Sequence, residues 1–239
     1  MRSVNGEQRH VDLNADLGEE ITDDAALLAV VTSANVACGY HAGTRETMRA
    51  VCAEAGRRGV TIGAQVSYLD RANFGRVALD VPEGLLREQV ADQVGVLSAI
   101  AESEGAAVTY VKPHGALYNR VVDDAVQARA VLAGSGELPV LGLPGGVLLD
   151  LAAADGRVIW REGFPDRGYT PDGRLVPRGR PGALVEGADA VARRAVELAP
   201  DVDSVCVHGD SPSAVDAAQS VRRALEAAGY SLRGLGQRR

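Results

Sequence analysis

The stretch VDLNAD, residues 11–16, alternates an apolar residue with a polar one at every step. This period of two is typical of a β-strand, so Asp12, Asn14 and Asp16 are predicted to point to the same face. In an exposed edge strand that face would simply be solvated. In the first strand of a barrel it points inward, where two carboxylates are costly to bury unless they are paired or bind a metal or a substrate. We therefore interpret all three residues as candidate site residues.

Six more apolar, strand-like runs follow this one, and helix-like segments separate them. Strict alternation of strands and helices predicts parallel strands that are joined by right-handed crossovers. Seven such units predict an α/β fold, a (β/α)7 barrel, although periodicity does not distinguish a closed barrel from an open, doubly wound sheet. The predicted strands are Val11–Asp16, Ser33–Cys38, Thr61–Gln65, Val108–Lys112, Val140–Leu143, Val158–Trp160 and Ser204–His208.

Length and composition restrict the class of protein. A chain of 239 residues with 46% hydrophobic residues suits one globular domain over residues 1–239. The net charge of −7 argues against a nucleic-acid partner, and no segment approaches the ~20 apolar residues of a membrane span. Three cysteines without a CxxC pair predict buried thiols in a reducing compartment, so the cytoplasm is the expected location.

Polar residues recur where the predicted strands end. In parallel α/β folds the carboxyl ends of the strands carry the site, because the loops that follow converge there. Carboxylate, imidazole, amide and amine groups at six strand ends therefore predict one shared site. Beyond the first strand, these candidates are Asn35, His41, Gln65, Lys112, His114, Glu162, Asp166, His208 and Asp210.

Lys112 is the strongest local signal, because it is the only lysine among 25 basic residues. Lysine is a compact charge whose pKa can move, whereas arginine is a permanently charged planar fork, so this position is predicted to need a point charge. A surface salt bridge is the alternative. For His208 and Asp210 the alternative is a capping role at the start of the next helix.

Six segments of the chain resemble the LamB/YcsF family, and together they extend over nearly its whole length. The segments are DLNADLGE (12–19), ANVACGYHAG (34–43), VKPHGALYN (111–119), FPDRGY (164–169), PDG (171–173) and VCVHGD (205–210). The resemblance implies a seven-stranded β/α barrel of the glycoside hydrolase/deacetylase-like type, with a link to carbohydrate metabolism. It also adds Arg167 to the candidate catalytic residues.

The activity that this resemblance implies is the ATP-dependent cleavage of 5-oxoproline, or a similar small lactam, to glutamate. ATP with Mg²⁺ is then the expected cofactor, and separate B and C subunits are the expected partners. Such chemistry needs a cation near phosphoryl oxygens, acid–base groups for water and the leaving nitrogen, and carboxylates that orient them or hold Mg²⁺. The candidates for these three roles are, respectively, Lys112; His41, His114 and His208; and Asp12, Asp16, Glu162 and Asp210.

Two alternative functions stay open at this point. One is a metal-dependent amide or ester hydrolase of the deacetylase-like class that uses no ATP. The other is a non-catalytic subunit that binds a lactam or serves as a scaffold. No Walker-type loop or GxGxxG fingerprint indicates where a nucleotide would bind.

Two positions depart from the family pattern. Thr44 stands where the family has aspartate, and Gln65 stands where it has histidine. A carboxylate and an imidazole are thereby lost from positions that are expected to face the same pocket. Glutamine forms hydrogen bonds but does not carry a proton near neutral pH, so we expect little or no activity of this chain alone.

Overall fold

The computed structural model describes residues 9–209 and 213–237 of the chain. Asp210, which was predicted as a site residue, lies outside these ranges. The strands are β1 (Arg9–Leu17), β2 (Ser33–Ala37), β3 (Thr61–Val66), β4 (Val108–Pro113), β5 (Val140–Gly142), β6 (Ile159–Gly163), β7 (Ser204–Val207) and β8 (Tyr230–Leu232). The helices are α1 (Asp24–Leu28), α2 (Arg45–Arg58), α3 (Glu83–Ser103), α4 (Gly115–Arg120), α5 (Ala125–Gly134), α6 (Val147–Ala154), α7 (Ala188–Leu198) and α8 (Ala214–Ala227).

Strands β1 to β7 form a closed parallel barrel. Each of them pairs with the next along the chain, and β1 also pairs with β7, which joins the two ends of the sheet. In this closure Asn14 of β1 lies opposite Cys206 of β7, and Asp16 lies opposite Asn35 of β2. The predicted (β/α)7 barrel is therefore confirmed, and the open sheet is excluded.

The helices cover the outside of the barrel with the apolar faces that their periodicity predicts. In α3 the side chains of Leu86, Val90 and Leu97 are fully buried, and in α8 those of Val221 and Leu225 are. Burying this apolar surface is the main stabilising contribution to such layers, at roughly 25 cal/mol per Å². None of the described helices is long and apolar enough to cross a membrane.

The amino end of the barrel is filled by apolar side chains. Tyr110, Leu141 and Trp160 cluster there with Leu235, which follows β8. Strand β8 pairs in parallel with the first residues of β1, so the chain's last described segment packs against this end. Polar groups are thereby concentrated in the middle and at the carboxyl end of the barrel, where the strand ends converge.

Candidate active site

A cavity of about 480 Å³ opens at the carboxyl ends of the strands. Five of the predicted site residues line it: Asp16, Lys112, His114, Arg167 and His208. Three more arginines, Arg76, Arg174 and Arg178, contribute to the lining, so most of its charged groups are cationic. Such a lining suits an anionic ligand.

Lys112 lies at the base of this cavity and is 2% exposed. Its Nζ lies 3.0 Å from Asp16 Oδ1 and 2.8 Å from Glu162 Oε1. Burial by itself would lower the pKa of Lys112, but the Asp16 charge, together with Cys206 and Glu162, outweighs burial and holds that pKa well above its usual value. Burial would likewise raise the pKa of Asp16, but the Lys112 charge holds it below its usual range. Both groups are therefore ionised at neutral pH, as a buried ion pair.

Glu162 and Asn14 lie behind Lys112, inside the barrel, and neither lines the cavity. Asn14 Nδ2 donates to Glu162 Oε1 at 3.0 Å, and Asn35 Nδ2 donates to Asn14 Oδ1 at 2.7 Å and to Asp16 Oδ1 at 2.9 Å. The sequence predicted that Asn14 and Glu162 would be catalytic. Their positions favour a positioning role, because their polar atoms contact other buried residues around the ion pair.

Asp12 lies in the barrel interior and accepts hydrogen bonds from three hydroxyl groups. These come from Ser204, from Thr32 at 2.6 Å and from Ser33 at 2.7 Å. Burial raises the pKa of Asp12 to about 6, in spite of these hydrogen bonds. Asp12 does not line the cavity, and this position favours a structural role over the predicted catalytic one.

The raised pKa of Asp12 makes the stability of the fold depend on pH. Because the folded pKa of about 6 exceeds the unfolded value of 3.8, the stability that this group contributes is fully present below about pH 4 and is lost as pH rises through 6. We expect Asp12→Asn to become more stable relative to the unaltered protein between pH 4 and 7, by up to about 3 kcal/mol. Chemical unfolding at both pH values measures this difference.

Asp124 offers a control, because its contribution to stability should change with pH in the opposite direction. Its hydrogen bond with Arg120 lowers the pKa of Asp124, so its contribution is present above the unfolded pKa and is lost as pH falls. Asp124→Asn should therefore lose stability relative to the unaltered protein as pH rises. If Asp12→Asn shows the same direction as Asp124→Asn, the carboxyl of Asp12 is ionised without cost and this account of the barrel interior is wrong.

His208 and Asp166 form a second polar pair at the cavity. His208 Nδ1 lies 2.6 Å from Asp166 Oδ2, and the ring of Phe164 stacks on the imidazole at 5.2 Å. Burial would lower the pKa of His208, but the charge and the hydrogen bond of Asp166, together with the Asp16 charge, outweigh burial and raise that pKa. Burial likewise opposes ionisation of Asp166, and the His208 charge lowers the pKa of that carboxyl nevertheless. His208 is thus suited to carry a proton near neutral pH.

Arg167 lines the cavity, but its guanidinium group holds the loop that follows β6. Its Nε donates to the Ala183 carbonyl at 3.1 Å, and its Nη2 donates to the Val176 carbonyl at 2.8 Å. Arg167 is 4% exposed. These contacts favour a role in shaping the cavity wall over the catalytic role that the resemblance implies.

A cluster of Glu19, His41 and His114 lies beside Lys112 and is buried. One ligand atom from each of the three lies within 4.8 Å of the others. Glu19 Oε1 is 3.3 Å from His41 Nε2 and 3.5 Å from His114 Nδ1, and the two imidazole rings stack with centroids 3.8 Å apart. Burial lowers the pKa of each histidine to about 4, so both rings are neutral at pH 7, the form that binds metals.

Sequence reasoning missed Glu19, although it lies in a segment that carries the resemblance. It is the second residue after β1, and Gly18 with φ +73° turns the chain before it so that Glu19 comes close to the two histidines. A carboxylate three residues after a strand-end aspartate was the available signal. It has no strand periodicity, which explains why the alternating pattern of β1 did not identify it.

The two departures from the family pattern differ in their positions. Thr44 is the N-cap of α2, where its Oγ1 accepts a hydrogen bond from the Thr47 amide at 3.1 Å, and it does not line the cavity. The expectation that Thr44 faces the pocket is therefore wrong, since the position serves the helix. Gln65 is fully buried, and its Nε2 lies 2.9 Å from His114 Nδ1, so this departure does lie at the site.

The fold is a closed parallel (β/α)7 barrel with buried imidazole and carboxylate groups at its carboxyl end. A solved peptidoglycan N-acetylglucosamine deacetylase shares this fold with a TM-score of 0.55 at 15% identity, over 96% of this chain and 87% of that one. The sequence model of the LamB/YcsF family matches residues 11–239, and the chain belongs to that family.

Relatives within the family are similar over nearly their whole length. The A subunit of 5-oxoprolinase from Streptomyces coelicolor is 55% identical, over 93% of this chain and 98% of the relative. The protein of the same name from Mycobacterium avium is 49% identical, over 93% and 98%. The crystal structure of a lactam utilization protein from Thermus thermophilus is similar with a TM-score of 0.88 and 34% identity, over 95% of this chain and 100% of that one.

Proposed function

We propose that this chain is the A subunit of a 5-oxoprolinase and hydrolyses the lactam of 5-oxoproline to glutamate. The relatives that carry this name support the proposal. The observation that carries it is the cavity of about 480 Å³, which combines a cationic lining with an imidazole–carboxylate pair. Its size suits a small ligand.

The chemistry of the substrate matches these groups. 5-Oxoproline has a carboxylate, which the arginines in the lining would bind, and a lactam bond, which is an unreactive amide. In hydrolysis a water oxygen bonds to the carbonyl carbon, the carbon–nitrogen bond breaks and the nitrogen gains a proton. We assign the donation of that proton to His208, and the orientation of the water to the ionised carboxylate of Asp16.

A divalent cation fits the cluster of Glu19, His41 and His114. The two imidazoles are neutral and buried, and His41 Nδ1 has no hydrogen-bond partner among the described residues, so the cluster is incompletely satisfied as it stands. A cation held there would act as a Lewis acid on a carbonyl or phosphoryl oxygen. The expected Mg²⁺ suits this set less well, because Mg²⁺ prefers oxygen ligands whereas imidazole suits transition metals.

The proposal includes the coupling to ATP hydrolysis, separate B and C subunits and a cytoplasmic location. The relatives are named as one lettered subunit of an oxoprolinase, which supports the existence of further subunits, and three free, buried cysteines suit a reducing compartment. ATP would activate the amide by phosphorylating its oxygen, and no residue of this chain is assigned to nucleotide binding. A second candidate, a metal-dependent amide hydrolase without ATP, is favoured by the Glu19–His41–His114 cluster.

Reconstitution with the B and C subunits tests the proposal. We expect glutamate and inorganic phosphate to form from 5-oxoproline and ATP only when all three subunits are present. The chain with Zn²⁺ or Mn²⁺ and no ATP is the comparison for the second candidate. Amide hydrolysis under those conditions would favour that candidate. A complex that binds 5-oxoproline without any turnover would instead indicate that the chain is a non-catalytic subunit.

A further inference from the structure

The side chain of Gln65, at the end of β3, has an unusual environment. It is fully buried, and its Oε1 has no hydrogen-bond partner of good geometry among the described residues. Its Nε2 lies 2.9 Å from His114 Nδ1, and the same amide also interacts with His41. A buried amide oxygen without a hydrogen-bond partner is unfavourable, so the amide of Gln65 is incompletely satisfied in this orientation.

The hydrogen bonds of His114 fix which of its nitrogens is free. His114 Nε2 faces the Phe74 carbonyl at 3.1 Å, and a carbonyl only accepts, so Nε2 carries the proton and Nδ1 has the lone pair. Glu19 Oε1 lies 3.5 Å from this nitrogen of His114 and 3.3 Å from His41 Nε2. His41 Nε2 and Glu19 Oε1 form a hydrogen bond at 3.3 Å, and a cation that took the place of its proton would find three ligand atoms close together in a buried space.

Gln65 lies at the edge of this convergence and can contribute to it in either of two orientations. As it stands, its Nε2–H group donates to His114 Nδ1 and so blocks that lone pair. Rotation of the amide by half a turn exchanges its two ends and directs Oε1 toward the same point, without a change in shape. The hydrogen bond from Gln65 Nε2 to His114 Nδ1 and the binding of a cation by His114 Nδ1 therefore exclude each other.

We propose that Gln65 Oε1 is a fourth ligand of a divalent cation that Glu19, His41 and His114 bind, and that it sets which metal the site prefers. This inference rests on the metal site of the proposed function. The donor set is then two imidazole nitrogens and two oxygens, whereas a histidine at position 65 would give three imidazoles and one carboxylate. Amide oxygen suits Mn²⁺, whereas imidazole suits Zn²⁺, so Gln65 shifts the preference of the site from Zn²⁺ toward Mn²⁺.

Metal titrations of the full chain, freed of metal with a chelator, test the proposal. We expect Gln65→Leu to raise the Kd for Mn²⁺ at least tenfold. We expect Gln65→His to lower the Kd for Zn²⁺ at least tenfold, and to change the visible absorption of the Co²⁺-loaded protein because a nitrogen replaces an oxygen. Gln65→Glu keeps the shape of the side chain and adds a charge, so it should tighten Mn²⁺ binding even if Gln65→Leu folds poorly.

Gln127→Leu is the matched control. Gln127 is a second buried glutamine whose amide bonds to Tyr68 and to the Val81 carbonyl, and it lies outside the metal cluster, so its loss should leave every Kd unchanged. Unaltered Mn²⁺ binding by both Gln65→Leu and Gln65→Glu would overturn the proposal, as would an unaltered protein that binds no divalent cation. In that last case turnover of 5-oxoproline by the complex would still leave the proposed function standing.

Discussion

Replacing Lys112 with methionine is expected to lower the free energy of unfolding by about 3–5 kcal/mol at pH 7 and to abolish turnover. The substitution leaves the carboxylates of Asp16 and Glu162 buried without their cation, since Lys112 Nζ lies within 3.0 Å of both. Methionine fills a similar volume, so the decrease in the free energy of unfolding reports the loss of the charge and not a loss of packing. Chemical unfolding gives the first effect, and glutamate release by the three-subunit complex gives the second.

The sign of the pH dependence makes this prediction sharper. The Lys112 charge holds the pKa of Asp16 below its usual range, so this stability is present above the unfolded pKa and is lost as pH falls through the folded one. The deficit of Lys112→Met should therefore shrink as pH falls toward 4, because the uncompensated carboxylate takes up a proton. A deficit that stays constant with pH would mean that packing, not the ion pair, is what the substitution removes.

Arg161→Met is the control for Lys112→Met. Arg161 lies next to Glu162 on β6, but its side chain is 49% exposed, and its partner Asp203 is on the surface. Exposed pairs contribute about 0–1 kcal/mol, so this variant should unfold almost as the unaltered protein does.

Lys112→Arg should also lower the free energy of unfolding. The sequence predicts that Lys112 is a site residue, but it does not predict this loss of stability. A guanidinium group is larger than an ammonium group, and the space around Nζ is closed by Asp16, Glu162 and the Cys206 thiol at 3.3 Å. Identifying a required lysine depends only on composition. Knowing that arginine would be overpacked there depends on burial, which composition does not contain.

For the closed barrel, the sequence predicted the local properties of the strands but not the pairing that closes the sheet. The alternation of Asp12, Asn14 and Asp16 predicted an inward face correctly, because period and face are local properties of a strand. Closure depends on the pairing of β1 with β7, some 190 residues away, and no local pattern distinguishes it from an open sheet. Strand β8 has only three residues, too few to show a period.

The depth of each polar side chain within the barrel could not be predicted either, because depth also depends on how distant strands pair. The sequence placed Asp12 and Asp16 on one face, yet Asp16 lines the cavity while Asp12 accepts hydrogen bonds from buried hydroxyls. The predicted convergence of strand ends is observed for Asp16, Lys112, His114 and His208. His41, which was expected beside them, stacks on His114 and belongs to the Glu19–His41–His114 cluster, but it does not line the cavity itself.

Replacing His208 with glutamine is expected to lower kcat of the reconstituted complex by about 10²–10⁴-fold, because the proposed general acid is lost while hydrogen bonding is kept. The Asp166 charge, 2.6 Å away, raises the pKa of His208 against the effect of burial. Activity that needs protonated His208 should be present below this pKa and should fall as pH rises through it. Asp166→Asn removes the charge that raises the pKa, so it should shift this alkaline limb of the pH–rate profile to lower pH.

His10→Gln serves as the control for the His208 variants, since His10 lies at the start of β1, opposite the cavity. It should leave both kcat and the pH profile unchanged. A purely structural role of the His208–Asp166 pair would lower the melting temperature and the activity of both variants without moving the limb. If Asp166→Asn folds and its alkaline limb does not shift, His208 is excluded as the proton donor. Another acid in the cavity would then protonate the leaving nitrogen.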